Sequence, residues 1–150
     1  MMKRRDLLAR SVAGGAWLAL PALAHADAID DFFLFVTLDR AEAVEKALRG
    51  GFDVNSRSRK GQVPLYVAFA EQSERVVEVL LKAPGLDVNA LNAVGESPLM
   101  MAAIKGQVDA MARLMAMGAA VNKAGWTPLH YAASGGHMPA IDLLLSQGAV

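Results

Sequence analysis

A short unit that occurs three times along the chain constrains the fold more than any other feature of the sequence. It occupies residues 61–69, 95–103 and 125–133, and in every copy the proline of a Pro-Leu pair stands three residues after a glycine. The prolines of successive pairs are 34 and 30 residues apart. A period of about 20–50 residues is the mark of a repeat protein, in which each unit buries its apolar face only against its neighbours. The sequence therefore predicts a stack of similar units rather than one central core.

The copy at residues 125–133, which reads GWTPLHYAA, is the clearest of the three. It matches the T-P-L-H-x-A signature of a helical repeat with a period of about 33 residues. Apolar helical patterns follow the copies, and turns with asparagine come next, as in residues 86–89 and 119–122. On these residues, the chain after about position 28 resembles the ankyrin-repeat family. The resemblance implies an all-α solenoid of stacked helix-turn-helix units with short hairpin fingers.

The spacing predicts about four repeats between residue 27 and the end of the chain. Their predicted bounds are 27–59, 60–92, 93–123 and 124–150. The first lacks the Thr-Pro motif and is predicted to be a divergent cap, which has a neighbour on one side only. The last stops at residues 148–150, where the turn of the family begins, and is predicted to be incomplete. We expect either that the chain continues or that a partner or self-association covers its apolar end.

Two departures from the regular repeat lead to specific expectations. Gln72 stands where the family has glycine between the two helices of a repeat, and a left-handed backbone there would cost about 1 kcal/mol. The 30-residue interval between Pro98 and Pro128 is short, and the missing residues lie between Asn122 and Gly125. Because this segment is a finger in the family, we expect a stunted finger between the third and fourth repeats.

The first repeat is predicted from its local pattern alone. Asp30 and Asp31 are expected to cap a short helix over residues 32–38. Phe33 falls where the family has its histidine, and we interpret it as an exposed aromatic side chain. A second helix is expected over residues 41–49, ended by a pair of glycines.

Residues 1–26 have the three parts of an export signal. A basic start at residues 3–10 is followed by an apolar run over residues 12–23 and by an Ala-His-Ala site at residues 24–26. Cleavage is predicted between Ala26 and Asp27. The apolar run is too short to cross about 30 Å of hydrocarbon. The segment is therefore predicted to be a cleavable signal peptide.

The route of export stays open between two alternatives. The Arg4-Arg5 pair resembles a twin-arginine signal, but no Ser or Thr precedes it and leucine stands where phenylalanine is usual. The Sec route fits equally well. Either route predicts a periplasmic or secreted protein of bacterial type. The alternative is a retained signal, which would make the chain a membrane-tethered adaptor.

Charge and residue types exclude several classes of function. Residues 27–150 carry 11 basic and 14 acidic side chains, and this balance argues against nucleic acid as a partner. The chain has no cysteine, so disulfides and thiol catalysis are excluded. No G-x-S-x-G motif and no phosphate-binding glycine loop occurs. The sequence predicts neither an enzyme nor a cofactor.

His130 and His137 are the two histidines that follow the predicted signal. Both fill positions where the family uses histidine. The resemblance implies that Thr127 and His130 tie a helix start to neighbouring backbone and so maintain the fold. The alternative is a metal-binding or small-ligand site, although two histidines without a third ligand are a weak signal for zinc.

The leading functional prediction is a scaffold or regulator that binds another protein. The resemblance implies that the partner is bound by the concave face, which consists of the finger tips and the first helix of each repeat. Trp, Tyr and Arg are also the residue types enriched at interface hot spots. The basic cluster at residues 56–60 predicts a partner with an acidic surface. The residues predicted to contact the partner are Arg57, Arg59, Lys60, Gln62, Tyr66, Val94, Glu96, Met100, Ile104, Lys105, Lys123, Trp126 and Ser134.

Overall fold

The computed structural model describes the backbone of residues 20–150 and the side chains from Ala24 onward. Within these residues the chain forms eight helices and no strands. The helices are α1 (Leu20–Thr37), α2 (Ala41–Arg49), α3 (Pro64–Ala70), α4 (Glu74–Leu81), α5 (Pro98–Ile104), α6 (Val108–Ala116), α7 (Pro128–Gly135) and α8 (Met138–Ser146). Consecutive helices pair as antiparallel hairpins that stack in chain order. The predicted all-α repeat solenoid is confirmed.

The stack has two layers of helices with the core between them. The first helices α1, α3, α5 and α7 pack in sequence, and α2 packs on α4 and α6 on α8 in the second layer. Small buried residues, including Ala68, Ala102 and Ala132, let the first helices approach closely. The largest fully buried side chains are Phe32, Phe69, Leu65, Leu80, Leu99, Met100, Met111, Leu114 and Leu144. The core is therefore a continuous strip along the solenoid axis.

The Pro-Leu pairs set the start of the three later first helices. Pro64, Pro98 and Pro128 each occupy the first turn, where a missing N–H leaves no hydrogen bond unmade. The residue before each proline is extended, as proline sterics require. The repeated motif thus determines where each unit begins.

The first repeat differs from two expectations. Helix α1 already includes Leu20 and runs through the predicted cleavage site at Ala26–Asp27, so the expectation of a short helix capped by Asp30 and Asp31 is wrong. Phe33 is only 9% exposed and belongs to the buried core, where its ring lies edge-on to that of Phe32 at a centroid distance of 6.2 Å. The prediction that Phe33 is an exposed aromatic is therefore also wrong.

The predicted signal lies mostly outside the described residues. Its basic start and the part of its apolar run up to residue 19 are not among them. Within residues 20–150, no helix combines the length and the apolar character that a membrane crossing requires.

Three asparagines join each repeat to the next. Each side-chain amide donates to a glycine carbonyl of the following repeat, and its oxygen accepts from the backbone N–H two residues further on. These bonds measure 2.8–3.2 Å and run from Asn55 to Gly85 and Asp87, from Asn89 to Gly118 and Ala120, and from Asn122 to Gly148 and Val150. The loops are thereby fixed relative to one another without any β-sheet among the described residues.

The position between the two helices of a repeat has a left-handed backbone in both the second and the third repeat. Gln72 is left-handed there with φ 56°, in the same region as Gly106 at φ 66°. A Cβ at Gly106 would lie 2.5 Å from Nδ1 of His137, so glycine permits a close approach of the last two repeats. Gln72 has an exposed side chain at the corresponding position, and it lines a groove of about 670 Å³ between α4 and α6. The Arg113–Glu78 ion pair bridges this groove.

Candidate protein-binding site

Three loops carry the fingers of the concave face. Finger one (residues 56–63) is closed by Ser58 N–H donating to the Gln62 carbonyl at 2.9 Å. Finger two (residues 90–97) is closed in the same way from Asn92 to Glu96, also at 2.9 Å. Within finger three (residues 123–127), all of which the structure describes, no backbone hydrogen bond closes a turn. The stunted finger is confirmed.

The short finger three contacts its neighbour through a side chain instead of through its backbone. Fingers one and two are joined by Ala93 N–H, which donates to the Gly61 carbonyl at 3.2 Å. Finger three reaches finger two instead through the Lys123 ammonium, which donates to the Gly95 carbonyl. The backbone of finger three therefore stays away from finger two, and the residues beside Lys123 remain accessible.

Glu96 is the point where three repeats meet on this face. Its Oε2 accepts from the Tyr66 hydroxyl at 2.5 Å and from the Asn92 side-chain amide at 2.8 Å. Its Oε1 accepts from the Tyr131 hydroxyl at 2.7 Å. We call Tyr66, Asn92, Glu96 and Tyr131 the Glu96 cluster. It joins the second, third and fourth repeats through one carboxylate.

The cluster keeps Glu96 ionised and both tyrosines neutral. Partial burial opposes ionisation of Glu96, but the hydrogen bonds from Tyr66, Asn92 and Tyr131 outweigh it and lower the pKa of the carboxyl from its usual 4.5. Burial and the hydrogen bond to Glu96 raise the pKa of Tyr131 to about 12. The same causes raise the pKa of Tyr66 further. Glu96 therefore carries a negative charge over a broad range of pH.

Trp126 lies beside this cluster and is 62% exposed. Its ring centroid is 5.9 Å from that of Tyr131, at an interplanar angle of 77°, and 5.4 Å from that of His130. The edge-on contact with Tyr131 is a favourable arrangement for two aromatic rings. Trp126 is thus held in place from one side while most of its surface faces solvent.

Thr127 and His130 fix the backbone under Trp126. Nδ1 of His130 accepts from Thr127 N–H at 3.1 Å and lies 2.8 Å from the Thr127 hydroxyl. A ring nitrogen that accepts a hydrogen bond carries no proton, so the proton of neutral His130 is on Nε2. The predicted structural role of this pair is confirmed.

The residues predicted to contact the partner differ in their exposure to solvent. Eight are exposed: Arg57, Arg59, Lys60, Val94, Lys105, Lys123, Trp126 and Ser134. Three are half-buried: Gln62, Glu96 and Ile104. Two are buried, namely Tyr66 and Met100.

The two buried residues cannot contact a partner directly, so these two predictions are wrong. Met100 is 2% exposed, and its sulfur accepts from Ser97 N–H at 3.4 Å at the start of α5. Tyr66 is 7% exposed, and its hydroxyl is used by Glu96. Tyr66 instead positions the carboxylate that faces the surface.

Two basic side chains of finger one form contacts within the chain. Arg57 donates to the Leu91 carbonyl at 2.5 Å and to the Gly61 carbonyl at 3.3 Å, and so supports the two fingers. Arg59 forms an ion pair with Asp30 of α1 at 2.7 Å. Two of the three cations in residues 56–60 therefore already have partners, which weakens the expectation of an acidic partner.

Two residues of the site were not predicted from the sequence. Asn92 donates to Glu96, and its own Oδ1 accepts from Glu96 N–H at 2.9 Å, which holds finger two closed. Tyr131 reaches Glu96 across 35 residues of sequence. The four-residue spacing of Asn92 and Glu96 in a turn was a usable signal, whereas nothing local marks Tyr131 as a partner of Glu96.

The alternative of a histidine metal site finds no support in the side-chain arrangement. His137 is packed against Gly106 and Gly135, and Nδ1 of His130 is bonded to Thr127. Among the residues that the structure describes, no group of three or more His, Cys, Asp or Glu side chains is arranged to hold a metal ion.

Residues 81–150 match the family model of ankyrin repeats, in three copies. Residues 81–150 are therefore ankyrin repeats. The chain is 33% identical over 83 residues to "Neurogenic locus notch homolog protein 2" of Homo sapiens, which covers 55% of this chain and 3% of that protein. It is 34% identical over 73 residues to "Neurogenic locus Notch protein" of Drosophila melanogaster, covering 47% of this chain and 3% of that protein. The chain thus spans a small fraction of the length of these relatives. Ankyrin repeats are protein-protein interaction modules, and the family is generally non-enzymatic.

Proposed function

We propose that this protein is exported and binds a partner protein through its concave face, acting as a scaffold or regulator of that partner. The observation that carries the proposal is Trp126, a large aromatic side chain that stays 62% exposed beside a rigid polar cluster. Tryptophan is among the residues that contribute most to binding when an interface forms. The chain leaves this residue in water although burying it would stabilise the fold.

The exposed residues around Trp126 support the proposal that a partner binds to this surface. Val94 at the tip of finger two is 79% exposed, and Lys105 at the end of α5 is exposed as well. The backbone beneath them is held by the Glu96 cluster and by the Lys123 contact to Gly95. A surface whose backbone is already ordered loses little conformational entropy when a partner binds.

The concave face can be tested by site-specific photo-cross-linking in cells that express the full chain. A photoreactive phenylalanine analogue at Val94, Lys105 or Trp126 is expected to yield one discrete adduct, and mass spectrometry would identify its partner. The same analogue at Glu74 or Asp109, which are exposed on the second-helix layer, is the matched control. Adducts that form equally well from both sets of positions would contradict the proposal.

Export is supported by the order of basic start, apolar run and Ala-His-Ala site in residues 1–26. The mass of the protein recovered from the cell envelope is expected to correspond to a chain that begins at Asp27. Replacing Arg4-Arg5 by Lys-Lys separates the two routes, because only the twin-arginine route requires the arginine pair. An intact N-terminus in the envelope fraction would favour the membrane-tethered alternative.

A further inference from the structure

The charge and the aromatic surface of the concave face indicate which kind of side chain a partner would present to it. The inference drawn from them rests on the proposed function. We propose that Glu96 and Trp126, linked by Tyr131, form a subsite for an arginine side chain presented by the partner protein. The guanidinium stacks on the exposed indole of Trp126 and donates to the carboxylate of Glu96.

The carboxylate of Glu96 is the anionic half of the subsite. Its three donors, Tyr66, Asn92 and Tyr131, are all neutral groups. None of the four ion pairs between described residues includes Glu96. Lys123, which belongs to the neighbouring finger, donates a hydrogen bond from its ammonium group to the Gly95 carbonyl. The negative charge is therefore held by hydrogen bonds without a cation bonded to it.

One oxygen of the Glu96 carboxylate can accept a further hydrogen bond. Oε2 accepts two hydrogen bonds, whereas Oε1 accepts one, from Tyr131 at 2.7 Å. A carboxylate oxygen can accept two hydrogen bonds, so Oε1 has room for a further donor. A charged donor at this position would form a charge-assisted hydrogen bond, which is stronger than a neutral one.

Trp126 is the aromatic half, and Tyr131 sets its position relative to Glu96. The Tyr131 hydroxyl binds Oε1, while its ring lies edge-on to the indole at a centroid distance of 5.9 Å. An aromatic surface and a carboxylate oxygen are thus held by the same side chain. Arginine suits both, because its planar guanidinium stacks on an aromatic face while its N–H groups donate in the plane.

The direct test uses the full chain with Trp17→Phe, so that Trp126 is the single tryptophan and reports binding by its fluorescence. The probes are two blocked pentapeptides, Ala-Gly-Arg-Gly-Ala and the same peptide with citrulline, the neutral isostere of arginine. The arginine peptide is expected to bind at least tenfold more tightly than the citrulline peptide. Equal affinities, or no binding of either peptide at millimolar concentration, would overturn the proposal.

Two variants locate the binding site. Glu96→Gln keeps a side chain that can accept from the tyrosines but removes the charge, and is expected to abolish the tenfold preference for arginine. Glu74→Gln, which removes an exposed carboxylate from the second-helix layer, is the matched control and is expected to keep it. Circular dichroism verifies that both variants are folded. A preference that survives in Glu96→Gln would show that arginine binds elsewhere and would refute the assignment.

The outcomes for this subsite and for the proposed function are distinguishable. If cross-linked adducts form at Val94 and Trp126 but the arginine peptide shows no preference, the concave face binds a partner by other chemistry. If the arginine peptide binds with the expected preference but no adduct forms in cells, the subsite exists and the proposed partner does not.

Discussion

The hydroxyl of Tyr66 lies 2.5 Å from Oε2 of Glu96, although 30 residues separate the two in the chain. Tyr66 belongs to α3 of the second repeat and Glu96 to finger two of the third. Tyr131 of the fourth repeat donates to the same carboxylate from the other side. One ionised group thus couples three consecutive repeats, and its removal is expected to affect their stacking as well as the charge of the surface.

The pH dependence of stability should report this coupling. Because the folded-state pKa of Glu96 is lowered, its contribution is present above the unfolded value of 4.5 and is lost as the pH falls through the folded value. Glu96→Gln is therefore expected to flatten the loss of stability between about pH 5 and pH 3 in urea-unfolding titrations. Because hydrogen bonds to Arg75 and Arg113 also lower the pKa values of Glu42 and Glu78, the relevant quantity is the difference from the wild type. Identical acid limbs for variant and wild type would contradict the role of Glu96.

The alkaline limb tests the tyrosines of the same cluster. Because the folded-state pKa values of Tyr66 and Tyr131 are raised, both tyrosines contribute stability that is fully present below the unfolded value of 10. The contribution of Tyr131 is lost as the pH rises through its folded value of about 12, and that of Tyr66 is lost at a higher pH. Absorbance of tyrosinate at 295 nm is expected to rise together with unfolding and not before it. Two tyrosines that ionise near pH 10 while the protein remains folded would contradict the hydrogen bonds to Glu96.

Truncation of Trp126 is expected to change the stability much less than truncation of Met100. Trp126→Ala removes a side chain that is 62% exposed and should change the free energy of unfolding by less than about 1 kcal/mol. Met100→Ala opens a cavity at a residue that is 2% exposed and should cost about 2–4 kcal/mol. Chemical denaturation of both variants measures the contrast. Similar costs for the two would refute the separation of binding residue from core residue.

The residue between the helices of a repeat provides a fourth test. Gln72→Gly relieves a left-handed backbone and is expected to stabilise the protein by about 0.5–1 kcal/mol, since part of the gain is lost to unfolded-state entropy. Gly106→Ala adds a Cβ next to His137 at a positive φ and is expected to cost about 1–3 kcal/mol. Gln72→Ala is the control, because it shortens the side chain but leaves the backbone strain. If Gln72→Ala stabilised as much as Gln72→Gly, strain would not be the cause.

The asparagines that join the repeats predict a shared effect on stability. Asn89→Ala leaves the Gly118 carbonyl and the Ala120 N–H without their partner and should cost about 1–3 kcal/mol. Asn122→Ala breaks the corresponding bonds to Gly148 and Val150 and is expected to be destabilising for the same reason. Thermal melting of both variants measures the cost, and a melting temperature unchanged by Asn89→Ala would contradict this account.

Local chemistry made the repeats readable from the sequence. Proline can begin a helix but cannot continue one, so Pro64, Pro98 and Pro128 mark the helix starts. The missing residues before Gly125 were visible as a shortened interval, and the stunted finger followed from them. At α1 the same kind of reading failed, because Asp30 and Asp31 offered a local cap signal in a segment where the helix had already begun.

The sequence by itself determined that this chain forms a helical solenoid, since that architecture depends on motifs that return at a regular interval. It did not determine which side chains reach the surface, because a residue such as Met100 has the same local pattern whether a neighbouring repeat covers it or not. Tertiary structure alone decided that Tyr66, Asn92 and Tyr131 converge on Glu96, because stacking brings together residues that are up to 35 positions apart. The physical reason is that a repeat motif encodes each unit, whereas the face that binds is made by the contacts between units.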